Sequence, residues 1–301
     1  MPLPDDSTDV FEAHRPRLVR LAYRMLGSRA EAEDVVQNAW MRWQASDRSR
    51  VTTPEAFLSR IVTRLCLDEM KSARARRETY VGSWLPEPIV DGVQDEVDED
   101  DLTLTLMMAL ERLSPLERAA FLLHDVFGMP LNEVATTLDR ESASVRQLAV
   151  RARRHVQTAR PRYPVEREEG DRIARAFFAA STSGDVAALQ AMLAETVVLR
   201  ADGGGKVSAF LNPIVGLEKI LRLYEGLRRK FGVDWADMVE PIWIDGLPGY
   251  VSRERGKVLQ TTALAIENGK ITGIYITRNP DKLRHIAQGL AAVPDDQGRA
   301  Q

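Results

Sequence analysis

The stretch that most constrains this chain runs from Pro130 to Val156, PLNEVATTLDRESASVRQLAVRARRHV. Leu131, Val134, Ala135 and Leu138 fall at i, i+3, i+4 and i+7, the spacing of one buried helix face. Asp139-Arg140-Glu141 is a short polar turn. Ser142 is placed to cap a second helix, because its hydroxyl can accept from a free N–H of the first turn. In that second helix Val145, Leu148, Ala149, Ala152 and Val156 form an inward stripe. Arg146, Val150, Arg153 and Arg154 take another side, flanked by Gln147 and Arg151. The pattern is a helix-turn-helix with a basic outer face, as a major-groove reader requires. Arginine can contact phosphate and guanine, glutamine can bond adenine, and Val150 can meet a thymine methyl. Ser142, Ser144, Arg146, Gln147, Val150, Arg151, Arg153 and Arg154 are therefore candidate duplex contacts. A solvated basic helix in an ordinary helical core has the same spacing, which leaves that alternative open.

Charge has to be argued locally. The 301 residues carry a net charge of −3, so the chain as a whole is no polycation. Affinity for nucleic acid must come from segregation, and Arg140 to Arg162 supplies it, with many arginines and a single acid, Glu141. Cys66 is the only cysteine, which excludes an intramolecular disulfide and fits a reducing compartment. The polar start, MPLPDDSTD, is no signal peptide, and no apolar run is long enough to span a bilayer. The expected location is the cytoplasm.

The other segments have a legible order. Asp9 to Tyr80 reads as helical. Val10, His14, Leu18, Leu21, Ala22 and Met25 mark one face, and Gly27 stops that helix. Ser28 and Glu31 have capping-box spacing for a second helix, which buries Val36, Ala39, Trp40 and Trp43 and shows Glu33, Asp34, Gln37 and Asn38 on its other side. Trp40 and Trp43 have the helical spacing of core residues. Thr53-Pro54 starts a third helix. On it Arg60, Arg64, Lys71 and Arg74 share a sector, extended by Arg76 and Arg77, and form a candidate phosphate track or a solvated basic face. Val81 to Asp101 reads as a linker: two prolines exclude regular helix, and the run DGVQDEVDEDD is acidic. Trp84 and Leu85 are expected to dock on a neighbouring domain. Leu102 to Arg160 is helical again, with Ser114-Pro115-Leu116-Glu117 a strong helix start, and Pro161 and Pro164 end the block.

Beyond Val165 the periods mix. Helices are expected at Arg172–Ala180, Val186–Leu193 and Gly216–Lys230. Strands are expected at Thr196–Ala201 and Val207–Leu211, separated by the glycine turn Asp202-Gly203-Gly204-Gly205-Lys206. Three later strands follow, near Val239–Ile244, Tyr250–Arg255 through Val258–Glu267, and Lys270–Arg278, with Asn268-Gly269 a hairpin turn. This is an α+β pattern. The residues show no paired catalytic carboxylates and no metal-ligand spacing, so no enzyme, metal or cofactor is expected. Asp202 most simply serves its turn, and His285 reads as a surface or packing histidine.

Two helical blocks joined by an acidic linker, the second ending in a helix-turn-helix, resemble the extracytoplasmic-function sigma factors of bacterial RNA polymerase. Arg29-Ala30-Glu31-Ala32-Glu33-Asp34-Val35-Val36-Gln37 resembles that family's region 2.2, and Thr53 to Arg77 its regions 2.3 and 2.4. Ile61-Val62-Thr63-Arg64 departs from the family's Ile-Ala-Arg-Asn-like run, so no asparagine role in base recognition carries over. Leu113 to Arg118 with the helix-turn-helix resembles region 4. Trp84-Leu85-Pro86-Glu87-Pro88, Asp202-Gly203-Gly204-Gly205-Lys206 and Asn279-Pro280-Asp281-Lys282-Leu283 resemble signatures of the group with a fused SnoaL-like (NTF2-like) C-terminal domain.

The resemblance implies two all-α domains followed by an α+β cone with an apolar pocket. Its expected divisions are region 2 over 1–80, linker over 81–102, region 4 over 103–162, SnoaL-like domain over 165–290 and tail over 291–301. It implies core RNA polymerase (the β′ clamp and the β subunit) and promoter DNA as partners, with a small ligand in the pocket left open. Arg60, Arg64, Lys71, Arg74, Arg76 and Arg77 would serve the −10 element, and the helix-turn-helix residues the −35 element. Glu33, Asp34, Gln37 and Asn38 would contact polymerase. Trp84, Leu85, Pro86, Asp202–Lys206 and Asn279–Leu283 would dock the C-terminal domain on the linker and the helical blocks, modulating activity in place of a separate anti-sigma protein. A stand-alone helix-turn-helix regulator and a SnoaL-like isomerase or cyclase with a DNA-binding appendage are the competing readings.

Overall fold

The computed structural model of the chain describes residues 6–78, 80–91, 103–157, 165–233 and 235–292. It divides into two compact units. The first gathers Met1–Thr79 with Leu106–Arg160, the second Tyr80–Thr105 with Pro161–Gln301.

The first unit is helical. α1 (Asp6–Leu26), α2 (Arg29–Gln44) and α3 (Pro54–Glu78) pack on one another around Leu18, Met25, Val36, Leu58 and Val62. Gly27 ends α1 in the left-handed region at φ 71°, which glycine adopts without a side-chain penalty. Ser28 then caps α2, accepting the Glu31 N–H at 3.4 Å. Both tryptophans of α2 pack rather than project. Trp43 is buried and donates its indole N–H to the Ser7 carbonyl at 2.9 Å, and Trp40 lies 4.9 Å from the Phe11 ring.

After α4 (Leu104–Leu110), α5 (Pro115–Phe121) opens on a reciprocal capping box: Ser114 accepts from the Glu117 N–H, and the Glu117 carboxylate accepts from the Ser114 N–H. The ladder then widens into a π turn over Leu122–Val126, and Gly128 leads the chain toward α6 (Leu131–Leu138) and α7 (Ser142–Val156). One expectation is corrected here. Glu141, not Ser142, occupies the cap position of α7, and it makes no side-chain cap bond. Asp139 takes a left-handed φ of 53° and the Arg140 N–H returns to the Ala135 carbonyl, so the turn closes early and the Glu141 carbonyl already receives the Val145 N–H at 3.1 Å. Ser142 is left as the first residue of the helix.

In the second unit α8 (Arg167–Ser183), α9 (Val186–Met192) and α10 (Leu217–Phe231) accompany β1 (Leu193–Asp202), β2 (Ile214–Val215), β3 (Ala236–Ile244), β4 (Leu247–Glu254), β5 (Val258–Glu267) and β6 (Lys270–Thr277). α11 (Arg284–Ala292) follows the last strand. The sheet order is β2-β1-β6-β5-β4-β3, with β1–β6 the parallel pair and the rest antiparallel. Phe177, Val197, Leu199, Ile220, Leu264 and Ile274 are among its core. The mixed sheet with packed helices is the expected α+β domain.

Two details differ from the sequence reading. Val207–Leu211 forms no strand, because the Gly203 carbonyl takes the Lys206 and Val207 N–H groups at 3.0 and 3.1 Å, and pairing with β1 begins only at Ile214. Tyr250–Arg255 and Val258–Glu267, expected to run on as one strand, are separate antiparallel strands reversed at Arg255-Gly256 with φ 52° and 67°, so four late strands stand where three were counted. Asn268-Gly269 does make its hairpin turn, with φ 51° and 71°.

The linker's described part folds onto this second unit. Leu85 is buried, Val90 bridges Ile244, and the Asp245 N–H donates to the Ile89 carbonyl at 2.8 Å. On the far side of the acidic run the Leu104 N–H donates to the Asp245 carbonyl at 2.9 Å. The acidic residues 92–102 lie outside the described set. No helix among the described residues is long and apolar enough to cross a membrane.

Candidate functional site

The amphipathic pattern of α7 fixes which way its cations point. Val145, Ala149, Ala152 and Val156 are buried, and Ser142, Ser144, Arg146, Gln147, Val150, Arg151 and Arg154 are exposed. Arg153 is half-buried and donates Nε to Asp125 at 2.6 Å, while Arg151 Nε lies 3.6 Å from Glu117. All eight candidate duplex residues therefore share one helix. Two of them are anchored to carboxylates of the same block, and Arg146, Gln147, Val150 and Arg154 present a polar and apolar mixture to solvent.

α3 is less open. Arg64 is exposed and its Nε reaches the Thr137 carbonyl of α6 at 3.5 Å. Arg60 is half-buried, with Nε lacking a hydrogen-bond partner among the described residues. Lys71 pairs with Asp68 at 2.8 Å on the surface. Arg74, Arg76 and Arg77 lie on the last turns of α3, and their side chains fall outside the described set. On α2, Asp34, Gln37 and Asn38 are exposed, whereas Glu33 receives Arg15 at 2.5 Å.

The second cluster gathers three stretches far apart in sequence around Asp202, which is completely buried. One carboxylate oxygen accepts the Tyr80 hydroxyl at 2.6 Å and the Gly204 N–H at 3.0 Å. The other accepts the Leu85 N–H at 2.9 Å and the Lys282 ammonium at 2.8 Å. Four donors around one buried carboxylate meet the requirement that a buried charge be paired and hydrogen-bonded. Asp202 thus serves the glycine turn and also holds the linker. Lys282 lies 4.2 Å from the Trp84 ring centroid and also donates to the Leu85 carbonyl. Asn279 donates to the Tyr80 hydroxyl at 2.9 Å, and its N–H and that of Arg278 reach the Asp202 carbonyl.

Around this centre Lys206 pairs with Asp281, whose carboxyl is held below its ordinary range by Lys206 and then Arg284. Pro86 and Leu283 are buried, and Pro280 is exposed. His285 bonds the Pro88 carbonyl at 2.8 Å, a packing role. The glycines are sterically required. A Cβ on Gly203 would lie 2.1 Å from the Val207 carbonyl oxygen, and one on Gly204, at φ 62°, would lie 2.4 Å from the Asn279 side chain. Gly205 has φ 70°. Burial, followed by the bond to Asp202, pushes the Tyr80 phenol well above its usual value.

Sequence reasoning missed two members of this cluster's surroundings. In the sequence Tyr80 reads as the end of the first helical block, and nothing in its spacing marks it. Asp245, which accepts the Ile89 N–H at 3.3 Å, had one local signal, its position before Gly246 in a hairpin turn. Among the described residues no group of three or more His, Cys, Asp or Glu could hold a metal ion.

The order of the blocks and the clamp around Asp202 define a sigma factor with an added domain, and comparison with known proteins agrees. The family model of sigma-70 region 2 matches residues 10–76, and that of sigma-70 region 4 matches residues 103–156. The chain is 37% identical to the ECF RNA polymerase sigma factor SigJ of Mycobacterium tuberculosis, over 90% of this chain and 91% of that protein. It is 32% identical to the probable ECF RNA polymerase sigma factor SigI of the same species, over 93% and 95%. The crystal structure of the M. tuberculosis SigJ protein superposes with a TM-score of 0.74 at 32% identity, over 92% of this chain and 98% of that one. The chain belongs to the extracytoplasmic-function RNA polymerase sigma factors.

Proposed function

We propose that this sigma factor is regulated in cis: its own C-terminal domain grips the linker between the two DNA-reading blocks and limits how far they separate. The observation that carries the reading is the buried Asp202 carboxylate, with the linker's Tyr80 hydroxyl and Leu85 N–H bound to it beside Lys282. The helical blocks would seat on core RNA polymerase through Asp34, Gln37 and Asn38, read the −35 element with Arg146, Gln147 and Val150, and hold the −10 strand along α3. A chain that works on promoter DNA works in the cytoplasm.

Length makes the grip consequential. Within the first unit α3 packs against α6, the helix before the candidate −35 reader, so the two DNA-reading blocks are in contact. Elements named for positions −10 and −35 are separated by more than two helical turns, on the order of 80 Å along B-DNA. One surface in this closed arrangement cannot read both. Fully extended, the Tyr80–Thr105 segment would reach on the order of 85 Å at about 3.3 Å per residue. Its described ends are instead held on the second unit, Leu85 by Asp202 and Leu104 by Asp245. Releasing the linker therefore favours the open form.

Run-off transcription with purified core polymerase tests this. Tyr80→Phe and Asp202→Asn weaken the grip and should raise promoter-dependent output while leaving core binding intact. Output equal to or below that of the unaltered chain would overturn cis restraint. Asp34→Arg should weaken core binding by of order 1 kcal/mol, as for a rim charge.

A further inference from the structure

A cavity of about 530 Å³ opens within the C-terminal unit between the sheet and α8 and α10. That volume is in the range of sites that enclose organic ligands, roughly 300–1,000 Å³. Its wall is rich in rings: Phe178, Phe210, Tyr224, Phe231, Trp235 and Tyr250. Aromatic walls favour flat, apolar guests, which pack face to edge or offset against them.

The polar groups in that wall are unequally distributed. The Trp235 indole N–H is buried with no hydrogen-bond partner among the described residues, and so is Arg278 Nε. Both are donors. Buried donors without acceptors are costly, and an acceptor on a guest removes that cost. Glu254 neutralises Arg278 through its Nη2 and so leaves no open carboxylate there. Burial keeps Tyr224 and Tyr250 protonated at neutral pH, Tyr250 being pushed up to about 12. At the rim two exposed cations, Lys230 and Arg255, lie 5.0 and 5.2 Å from the Phe231 ring centroid. The cavity is thus apolar within, donor-rich on its wall and cationic at its edge.

The cavity also shares its strands with the linker clamp. Ala201 and Arg278 line it, and their neighbours Asp202 and Asn279 hold Tyr80 and Leu85. Asp202 pairs with Thr277 in the parallel β1–β6 ladder, and the Arg278 N–H bonds the Asp202 carbonyl at 2.7 Å. A guest that engages Arg278 acts one residue from the clamp.

We propose that this cavity binds an aromatic carboxylic acid, with the ring system inside and the carboxylate at the edge where Lys230 and Arg255 adjoin the Trp235 and Arg278 donors, and that its occupancy is transmitted through the ends of β1 and β6 to the linker. The regulatory half rests on the cis restraint proposed above; the binding half does not.

Pyrenebutyrate, a fluorescent ring-bearing acid, tests the binding half on the full chain, with the uncharged pyrenebutanol as its control. One molecule should bind per chain, the acid at least tenfold tighter than the alcohol. That preference should vanish in the Lys230→Glu/Arg255→Glu double variant, whose changes are both on the surface. No saturable binding, or equal affinity for acid and alcohol, overturns the site. Run-off transcription with and without pyrenebutyrate tests the transmission. Saturating acid should change output at least twofold in the unaltered chain and not in the double variant; unchanged output alongside saturable binding overturns the coupling. Asp202→Asn keeps the readouts apart. If it leaves transcription unaltered while pyrenebutyrate still binds, cis restraint fails and the site stands.

Discussion

Arg118 shows how much one side chain can decide in a helical unit. It is 1% exposed, although arginine almost never is. Its Nε donates to the Leu110 carbonyl at 2.9 Å, its Nη1 to the Met25 carbonyl at 2.7 Å, and it pairs with Glu111 at 2.7 Å. Met25 belongs to the end of α1, so this guanidinium ties the two helical blocks of the first unit together. Removing it takes a side-chain donor from the Met25 and Leu110 carbonyls and a cation from the Glu111 carboxylate. Breaking a buried pair by deleting one partner costs roughly 3–5 kcal/mol. Arg118→Ala should therefore lower the thermal midpoint of the full chain by several degrees in a calorimetric scan; a midpoint within a degree of the unaltered chain would show the pair to be dispensable. Gly204 carries a second residue-level expectation. Gly204→Ala puts a Cβ against Asn279 at a left-handed φ, so it should disturb the clamp and raise run-off transcription, as Tyr80→Phe should.

At the scale of the element, α7 separates reading from holding. Arg146 and Gln147 are exposed near the start of the helix, where recognition helices meet base edges, and Arg154 is exposed two turns later. Arg146→Ala should relax −35 preference by about 1–3 kcal/mol at the position it reads, while Arg154→Ala weakens binding evenly across sequences and lowers the salt dependence. Measuring both variants on a promoter library decides it, and indistinguishable profiles would defeat the division of labour. α7 was legible in the sequence because its buried face repeats with helical spacing, and so were the caps at Ser28 and Ser114, which are local. What escaped reading was non-local. Whether Val207–Leu211 pairs depends on the Gly203 carbonyl capturing two N–H groups, which an alternating pattern does not report. Ser142 lost its capping role to the left-handed Asp139 three residues earlier. The Asp202 cluster was half legible: its three motifs stand out as stretches, but Tyr80 enters it only through the fold, from a sequence distance of 122 residues.

For the whole molecule the question is how a closed helical unit becomes a reader of two separated promoter elements. The polar tie between α3 and α6 is weak. The Arg64–Thr137 bond is long at 3.5 Å, and Arg64 itself is exposed. A long bond to a solvated cation contributes little net stability, because water replaces it readily. The more committed ties are Arg118 to Met25 and Arg17 to the Phe127 carbonyl at 2.9 Å, both of which must break or slide if the blocks part. Opening is then a two-state change whose cost promoter and polymerase contacts offset by binding the open form more tightly. Distance measurement reads this directly. Cys66 is buried, and burial raises its thiol far above the usual range, so it leaves labelling to introduced cysteines. Spin labels at Asp68→Cys on α3 and Thr136→Cys on α6, both exposed, should give a single short distance in the free chain. With core polymerase and promoter DNA bound, that distance should lengthen by tens of ångströms, toward the order of 80 Å that the two elements demand. In the Asp202→Asn variant a longer population should already be present without DNA, because its linker is no longer held. A distance that stays short in the promoter complex would mean that the closed unit is itself the reading form, and the length argument for cis restraint would fall with it.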